Sequence, residues 1–296
     1  MENDNVLTHE TVECSLDDVV EKYKKKITER GDTEDARSSE LLNLLQQMTE
    51  FEFGKSLLIN RGATGPMTSY INLYPKRKHE YNIKNEVERL ILESPMTIAS
   101  QQRFEVCQDL LKKHIRNGMS VCSLPCGIMD DLITLELPKS INVKFVGIDI
   151  DQNSISGALE NAKRMNVDQK CQFYKMDAWK LKFKNEFDIL TSNGLIQYVE
   201  KHADILKFYK IVYEALKENG IFIVSCFIPP STLDSKYKSF NILQIFSKDI
   251  LKIRFNNFQT EEQISKDLIE IGFENIEVHY DDLKISPTIL AIKKIN

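Results

Sequence analysis

The chain has 296 residues, is 42% hydrophobic and 28% charged, and carries a formal net charge of −5. These values describe an ordinary globular protein with room for one large domain or for a core with an appendage. The acidic balance argues against nucleic acid as a partner, since that binding leans on surplus Lys and Arg, and no apolar run approaches the ~20 residues needed to span a bilayer.

The first 14 residues are polar and without period, so they read as loose, and the opening MENDNVLTHE lacks an apolar signal segment. Apolar residues at 16, 19, 20, 23 and 27 predict a helix stopped by Gly31. Asp32 or Thr33 can cap a second helix whose apolar positions continue to about Asn60. Residues 61–77 hold two glycines, two prolines and two tyrosines, which predicts a long irregular stretch of the lid type. Tyr70 and Tyr74 in it are candidates to shape an acceptor pocket. A short helix over 85–93 follows, then a longer one capped by Thr97 and ending at Asn117-Gly118. Lys24-Lys25-Lys26 and Lys76-Arg77-Lys78 read as solvated faces. The expectation is a helical cap over residues 1–105 and a core over 106–296.

The pattern changes at residue 119. An apolar run to Leu124, a turn at Pro125-Cys126-Gly127, a helical stretch over 129–137 and a second apolar run over 143–150 make one βαβ unit. Its right-handed crossover brings the turn and the end of the second strand to one edge of the sheet, where ligands of open α/β sheets bind. Asp149, 22 residues beyond Gly127, stands where a carboxylate can accept both hydroxyls of a ribose. A nucleoside-bearing cofactor is therefore expected.

Helix and strand then alternate. Strands are predicted at 171–176, 187–192 and 221–228, with helices over 153–165 and 204–218 and a short segment at 195–199. A polar and aromatic insertion occupies about 231–258, and Thr260 caps a helix through a capping box with Gln263. The last two strands, at 273–280 and 288–295, are joined by seven residues, too few for a helical crossover, so they must be antiparallel. The six cysteines, at 14, 107, 122, 126, 171 and 226, form no CxxC pair and have no His-x-x-x-His companion. No metal site is expected, and reduced thiols in a cytoplasm fit best.

VCSLPCG, VGIDID, YKMDAW, FDILTSNGL, NGIFIVS and the terminal hairpin together resemble the class I S-adenosylmethionine-dependent methyltransferases, over about residues 100–296. The cap segments FEFGKSLLINRGATGPMTSY and ASQQRF resemble a bacterial branch of that family. The resemblance implies a Rossmann-like α/β fold: a seven-stranded sheet with its last strand antiparallel, helices on both faces and an N-terminal α-helical cap. It implies S-adenosylmethionine as cofactor and S-adenosylhomocysteine as product. The turn Ser123–Gly127, Pro125 included, would lie beside the methionine moiety. Asp149 would bind the ribose with Ile150 against adenine, and Asp177 and Ala178 would meet the adenine edge. Asn193 and Gly194 would lie under the sulfonium, and Arg103 would pair with the cofactor carboxylate.

The turn departs from the family's acid-x-Gly-x-Gly-x-Gly pattern. Ser123 replaces the acid expected near the cofactor ammonium, Pro125 has no N–H, and Met129 stands where a glycine would admit the ligand. Asp130 or Asp131 can replace the missing acid, although the plain reading, acids at a helix start, is preferred. Tyr198 and His202 are the candidate bases for an acceptor that must lose a proton. The leading expectation is methylation of a small molecule, with no nucleic acid or membrane involved and a homodimer left open. Two others stay open: a non-catalytic binding module, and a methyltransferase acting on protein or RNA.

Overall fold

The computed structural model describes residues 15–228, 240–253 and 257–294. The described residues divide into two compact units, one drawn from residues 15–101 and 240–253, the other from 102–228 and 257–294. The predicted features at 1–14, 231–239, 254–256 and 295 lie outside the described residues.

The first unit is helical. Helix α1 (Leu16–Arg30) is capped by Ser15, whose hydroxyl accepts the Asp18 N–H. The single helix expected to reach Asn60 is two, α2 (Ser38–Met48) and α3 (Glu52–Asn60). Phe51 is extended at the break, and a Cβ on Gly54 would run into the Met48 carbonyl oxygen, so the two pieces approach through a glycine. Arg37 rather than Asp32 or Thr33 holds the N-cap of α2, with Glu40 accepting its N–H. The irregular stretch expected over 61–77 is mostly helix α4 (Gly65–Arg77). Pro66 sits in its first turn, where an N–H has no helical partner to lose, and Pro75 lies near its end. Helix α5 (Glu86–Leu92) is capped by Asn85, and α6 (Pro95–His114) starts at its proline, before Thr97. The described insertion is α10 (Asn241–Ile245) running into a π-helix (Phe246–Leu251). Phe246, Ile250 and Leu251 join Tyr23, Ile27 and Leu41 in this unit's core.

In the second unit seven strands form one sheet. They are β1 (Ser120–Ser123), β2 (Lys144–Asp149), β3 (Cys171–Lys175), β4 (Phe187–Asn193), β5 (Leu216–Ser225), β6 (Phe273–His279) and β7 (Thr288–Lys293), in the order β3-β2-β1-β4-β5-β7-β6. β1 to β5 pair in parallel; β7 runs antiparallel to both β5 and β6. The expected class and the backward last strand are both present. Strand period divides the apolar residues between two cores. Cys122, Val146, Leu190 and Phe222 face one way, with Phe208 and Tyr209 of α9 (His202–Ala215) and Leu268 of α11 (Glu261–Ile271). Val121, Phe145, Ile189 and Ile223 face the other, with Leu110 and Leu111 of α6 and Ala158 and Ala162 of α8 (Gln152–Arg164). Two boundaries differ from the pattern. The helix expected over 129–137 is only α7 (Asp130–Ile133). Gly220 lies inside β5 rather than stopping a helix, where a Cβ would meet the Lys217 oxygen at 2.7 Å.

Candidate active site

Parallel pairing puts the C-terminal ends of β1 to β4 on one edge, and the predicted cofactor residues gather there. The turn after β1 is stitched to both neighbouring strands. Leu124 N–H donates to Thr191 O, Cys126 N–H to Ile148 O and Gly127 N–H to Asp149 Oδ2, each at 2.9 Å. The Leu124–Pro125 peptide is cis. Gly127 has φ 52° and Met129 φ 58°, so Met129 takes the left-handed backbone that favours glycine. Its side chain is buried, with Sδ only 2.9 Å from where a Cβ on Gly147 would stand. It therefore packs under the turn against β2.

Asp149 ends β2, buried. Its Oδ1 accepts the Asp151 N–H at 3.0 Å and its Oδ2 accepts the Gly127 N–H. Burial raises the carboxyl's pKa while the backbone amides pull it back. Each oxygen keeps a further lone pair, which fits the donor set of a ribose diol. Ile150 follows, half-buried. Asp177 begins the turn after β3. Its Oδ1 accepts the Trp179 N–H at 2.9 Å and its Oδ2 lies 3.2 Å from Lys180 Nζ; Ala178 beside it is buried.

At the end of β4, Asn193 donates to Cys107 Sγ at 3.3 Å and accepts from Ser225 Oγ at 2.9 Å. Gly194 turns the chain with φ 84°, and a Cβ on it would lie 3.7 Å from Arg103 Nη1. Arg103 is buried against the Phe227 ring, 5.3 Å from its centroid. Burial lowers its pKa, against the pull of Cys107, Cys226, Tyr198 and Asp281. Arg103, Asn193, Gly194 and Tyr198 thus share this corner. His202 starts α9 a few residues on. Its Nδ1 lies 3.1 Å from Gln259 Nε2 and its Nε2 3.3 Å from Asp267 Oδ1, so both ring nitrogens are engaged.

Tyr70 and Tyr74 belong to the helical unit. Tyr70 OH donates to Glu88 Oε1 at 2.5 Å, and both rings pack on Tyr81, with centroids 4.6 and 5.2 Å away. Burial and the Glu88 carboxylate push the Tyr70 hydroxyl's pKa up.

The two acids after the turn separate. Asp130 Oδ1 accepts from Asn161 Nδ2 of α8 at 2.9 Å. Asp131 faces the sheet instead, where its Oδ2 accepts from Ser123 Oγ at 2.8 Å and from Thr191 Oγ1 at 2.9 Å. Burial pushes its carboxyl up to about 6. Thr191 and Cys107 were not singled out in the sequence. Thr191 pairs with Ser123 across β1 and β4, a register that no local pattern carries.

A family model for a methyltransferase domain matches residues 115–267. Over 149 residues the chain is 32% identical to ribosomal protein L11 methyltransferase of Dictyoglomus thermophilum, covering 49% of this chain and 46% of that one. Over 117 residues it is 32% identical to erythromycin 3''-O-methyltransferase of Saccharopolyspora erythraea, covering 39% and 37%. The chain spans about half the length, or less, of the curated relatives it matches. The crystal structure of a possible exported protein from Bordetella parapertussis is similar over 95% of this chain and 96% of that one, with TM-score 0.87 and 27% identity. No helix among the described residues is long and apolar enough to cross a membrane.

Proposed function

The chain belongs to the class I S-adenosylmethionine-dependent methyltransferase family, and from that membership we propose that it methylates a small-molecule acceptor. The observation that carries the cofactor reading is Asp149. A buried carboxylate at the end of β2, with one amide on each oxygen and lone pairs to spare, is built to receive a sugar diol. Bound S-adenosylmethionine would supply a methyl group on a sulfonium, open to in-line displacement by the acceptor, with S-adenosylhomocysteine leaving. The chain's own residues have the tasks of alignment and of keeping water out.

In this reading Asp149 holds the ribose, with Ile150 against the base. Asp177 and Ala178 take the adenine edge. The Ser123, Pro125 and Gly127 turn lies along the methionine end, Asn193 and Gly194 form the floor, and Arg103 faces the cofactor carboxylate. Tyr198 is the preferred base when the acceptor carries a proton. His202 positions the start of α9, because Gln259 and Asp267 occupy both its nitrogens. Tyr70 and Tyr74 are kept as candidate acceptor-pocket residues.

The acidic net charge and the sequence Asn193-Gly194-Leu195, which lacks the Asn-Pro-Pro-aromatic run of enzymes that methylate planar amino groups, disfavour nucleic-acid bases. The likeness to an erythromycin O-methyltransferase supports a small acceptor. The likeness to ribosomal protein L11 methyltransferases supports a second reading, a protein acceptor. A cytoplasmic location goes with the five free cysteines of the described residues.

Calorimetry tests the cofactor. Asp149→Ala should weaken S-adenosylmethionine binding by about 1–3 kcal/mol through stranded ribose hydroxyls, and an unchanged dissociation constant refutes the assignment. Incubation with methyl-labelled cofactor then sorts the acceptors. Label in the low-molecular-weight fraction of a cell extract supports the first reading, and label in acid-precipitated ribosomal protein supports the second.

A further inference from the structure

We propose that Asp131 supplies the negative charge that holds the ammonium of the cofactor's methionine end, a charge carried on helix α7 because β1 ends in Ser123. This rests on the cofactor reading above.

The carboxylate is buried at the C-terminal ends of the two central strands, tied to Ser123 on β1 and to Thr191 on β4. Both hydroxyls converge on one oxygen, Oδ2. A buried carboxylate is ordinarily compensated by a cation. Among the described residues no Lys, Arg or His forms an ion pair with Asp131, and the groups facing it are neutral or of its own sign. Asp130 adjoins it on α7. Cys122 on β1, Cys126 in the turn and Cys107 on α6 all feel its charge, and Cys107 also feels Arg103. Burial holds the thiols neutral by raising their pKa, Cys107 to about 12.

The position is therefore an acceptor with a partial claim on a cation. The cofactor brings two cations to the sheet edge, a permanent sulfonium and an ammonium that is charged when protonated. A sulfonium donates no hydrogen bond, while an ammonium donates three. A carboxylate already shaped by two hydroxyl donors matches the ammonium. The Ser123 hydroxyl fixes the carboxylate's position on the strand end, so that Ser123 and Asp131 together do what one acid on the strand would do.

The test uses S-adenosylhomocysteine, which carries the ammonium, and 5′-methylthioadenosine, which lacks the whole amino-acid end. Asp131→Asn should weaken the first by about 10- to 100-fold, the size of a charge-assisted hydrogen bond, and leave the second within about twofold. The exchange Ser123→Asp with Asp131→Ser should recover most of the loss. In the unaltered protein, S-adenosylhomocysteine affinity should fall as pH drops through about 6, where Asp131 takes up a proton, and calorimetry should record proton release on binding there. Equal S-adenosylhomocysteine affinity for Asp131→Asn and the unaltered protein overturns the proposal, as does an equal loss of both ligands. If Asp131→Asn fails to fold, the pH profile decides: a flat affinity from about pH 7.5 to 5.5 overturns it. Failure of the unaltered protein to bind any of these nucleosides overturns the cofactor reading itself.

Discussion

Asp149 and Asp131 are both buried carboxylates at one sheet edge, yet the groups that hold them differ in kind. Asp149 ends a strand and receives two backbone amides, one on each oxygen. Asp131 lies in the first turn of a short helix and receives two hydroxyls on Oδ2, with the Leu132 amide also acting on it. A backbone N–H can only donate and cannot turn away. It demands an acceptor whatever the pH, and so favours the ionised acid. A hydroxyl rotates and can accept as well as donate, so it tolerates a neutral carboxyl. At both sites burial raises the pKa and the donors pull against it: the Ser123 and Thr191 hydroxyls and the Leu132 amide at Asp131, which still rises to about 6, and the Asp151 and Gly127 amides at Asp149.

The same isosteric change should therefore have opposite signs at the two sites in the protein without cofactor. Asp131→Asn keeps an oxygen for the two hydroxyls and removes a charge that is costly to bury. A carboxyl raised from 3.8 to about 6 corresponds to about 3 kcal/mol at neutral pH. The variant should gain about 1–3 kcal/mol at pH 7 in urea denaturation. Asp149→Asn turns one amide nitrogen toward a backbone N–H and should lose about 1–3 kcal/mol. Changes of the same sign at both sites would break the comparison.

The pH dependence follows from the same asymmetry. Asp131 has its folded pKa above its unfolded one, so between about pH 4 and 6 the native state binds more protons than the unfolded chain. Its contribution to stability is fully favourable below that window and is lost as pH rises through it. Thr191→Val removes one of the two hydroxyl donors with little change of shape. It should cost about 1 kcal/mol and shift the midpoint of the Asp131 titration upward from about 6, read from denaturation midpoints across pH 4–8. An unmoved midpoint would mean that the Thr191 hydroxyl leaves the acid's ionisation untouched.

The sheet was largely legible because its signals are local. Strand runs and the seven-residue link before β7 act within a few residues, and the 22-residue spacing from Gly127 to Asp149 stays within one βαβ unit. The helical unit was less so. Residues 61–77 look irregular in composition, but two prolines fall at a first turn and near a last turn, where a helix loses little by them. The break between α2 and α3 depends on Gly54 meeting the Met48 carbonyl, a packing event across a turn. At the site, the bulk of Met129 looked like an obstacle to a ligand. Only the pairing of β1 with β2 shows that Gly147 is vacant enough to take that side chain beneath the turn. Asp131 and Asp130 were equivalent as helix-start acids. Their side chains point to β1 and β4 in one case and to α8 in the other, and one residue of helical rotation makes the difference.

The smallest effect concerns the third carboxylate of the edge. Asp177 has one amide on Oδ1 and a lysine, Lys180, on Oδ2; that lysine side chain is 79% exposed. A pair so open to solvent is screened and contributes about 0–0.5 kcal/mol. Lys180→Ala should leave stability within about 0.5 kcal/mol and cofactor affinity within about twofold. The Trp179 amide, a rigid donor like those on Asp149, sets the orientation of this carboxylate without help from the lysine. Should Lys180→Ala weaken adenosine-containing ligands by more than about tenfold, well beyond what such a pair supplies, the charge of the lysine would be acting on the ligand itself. Asp177 and Lys180 would then act on the ligand as a pair.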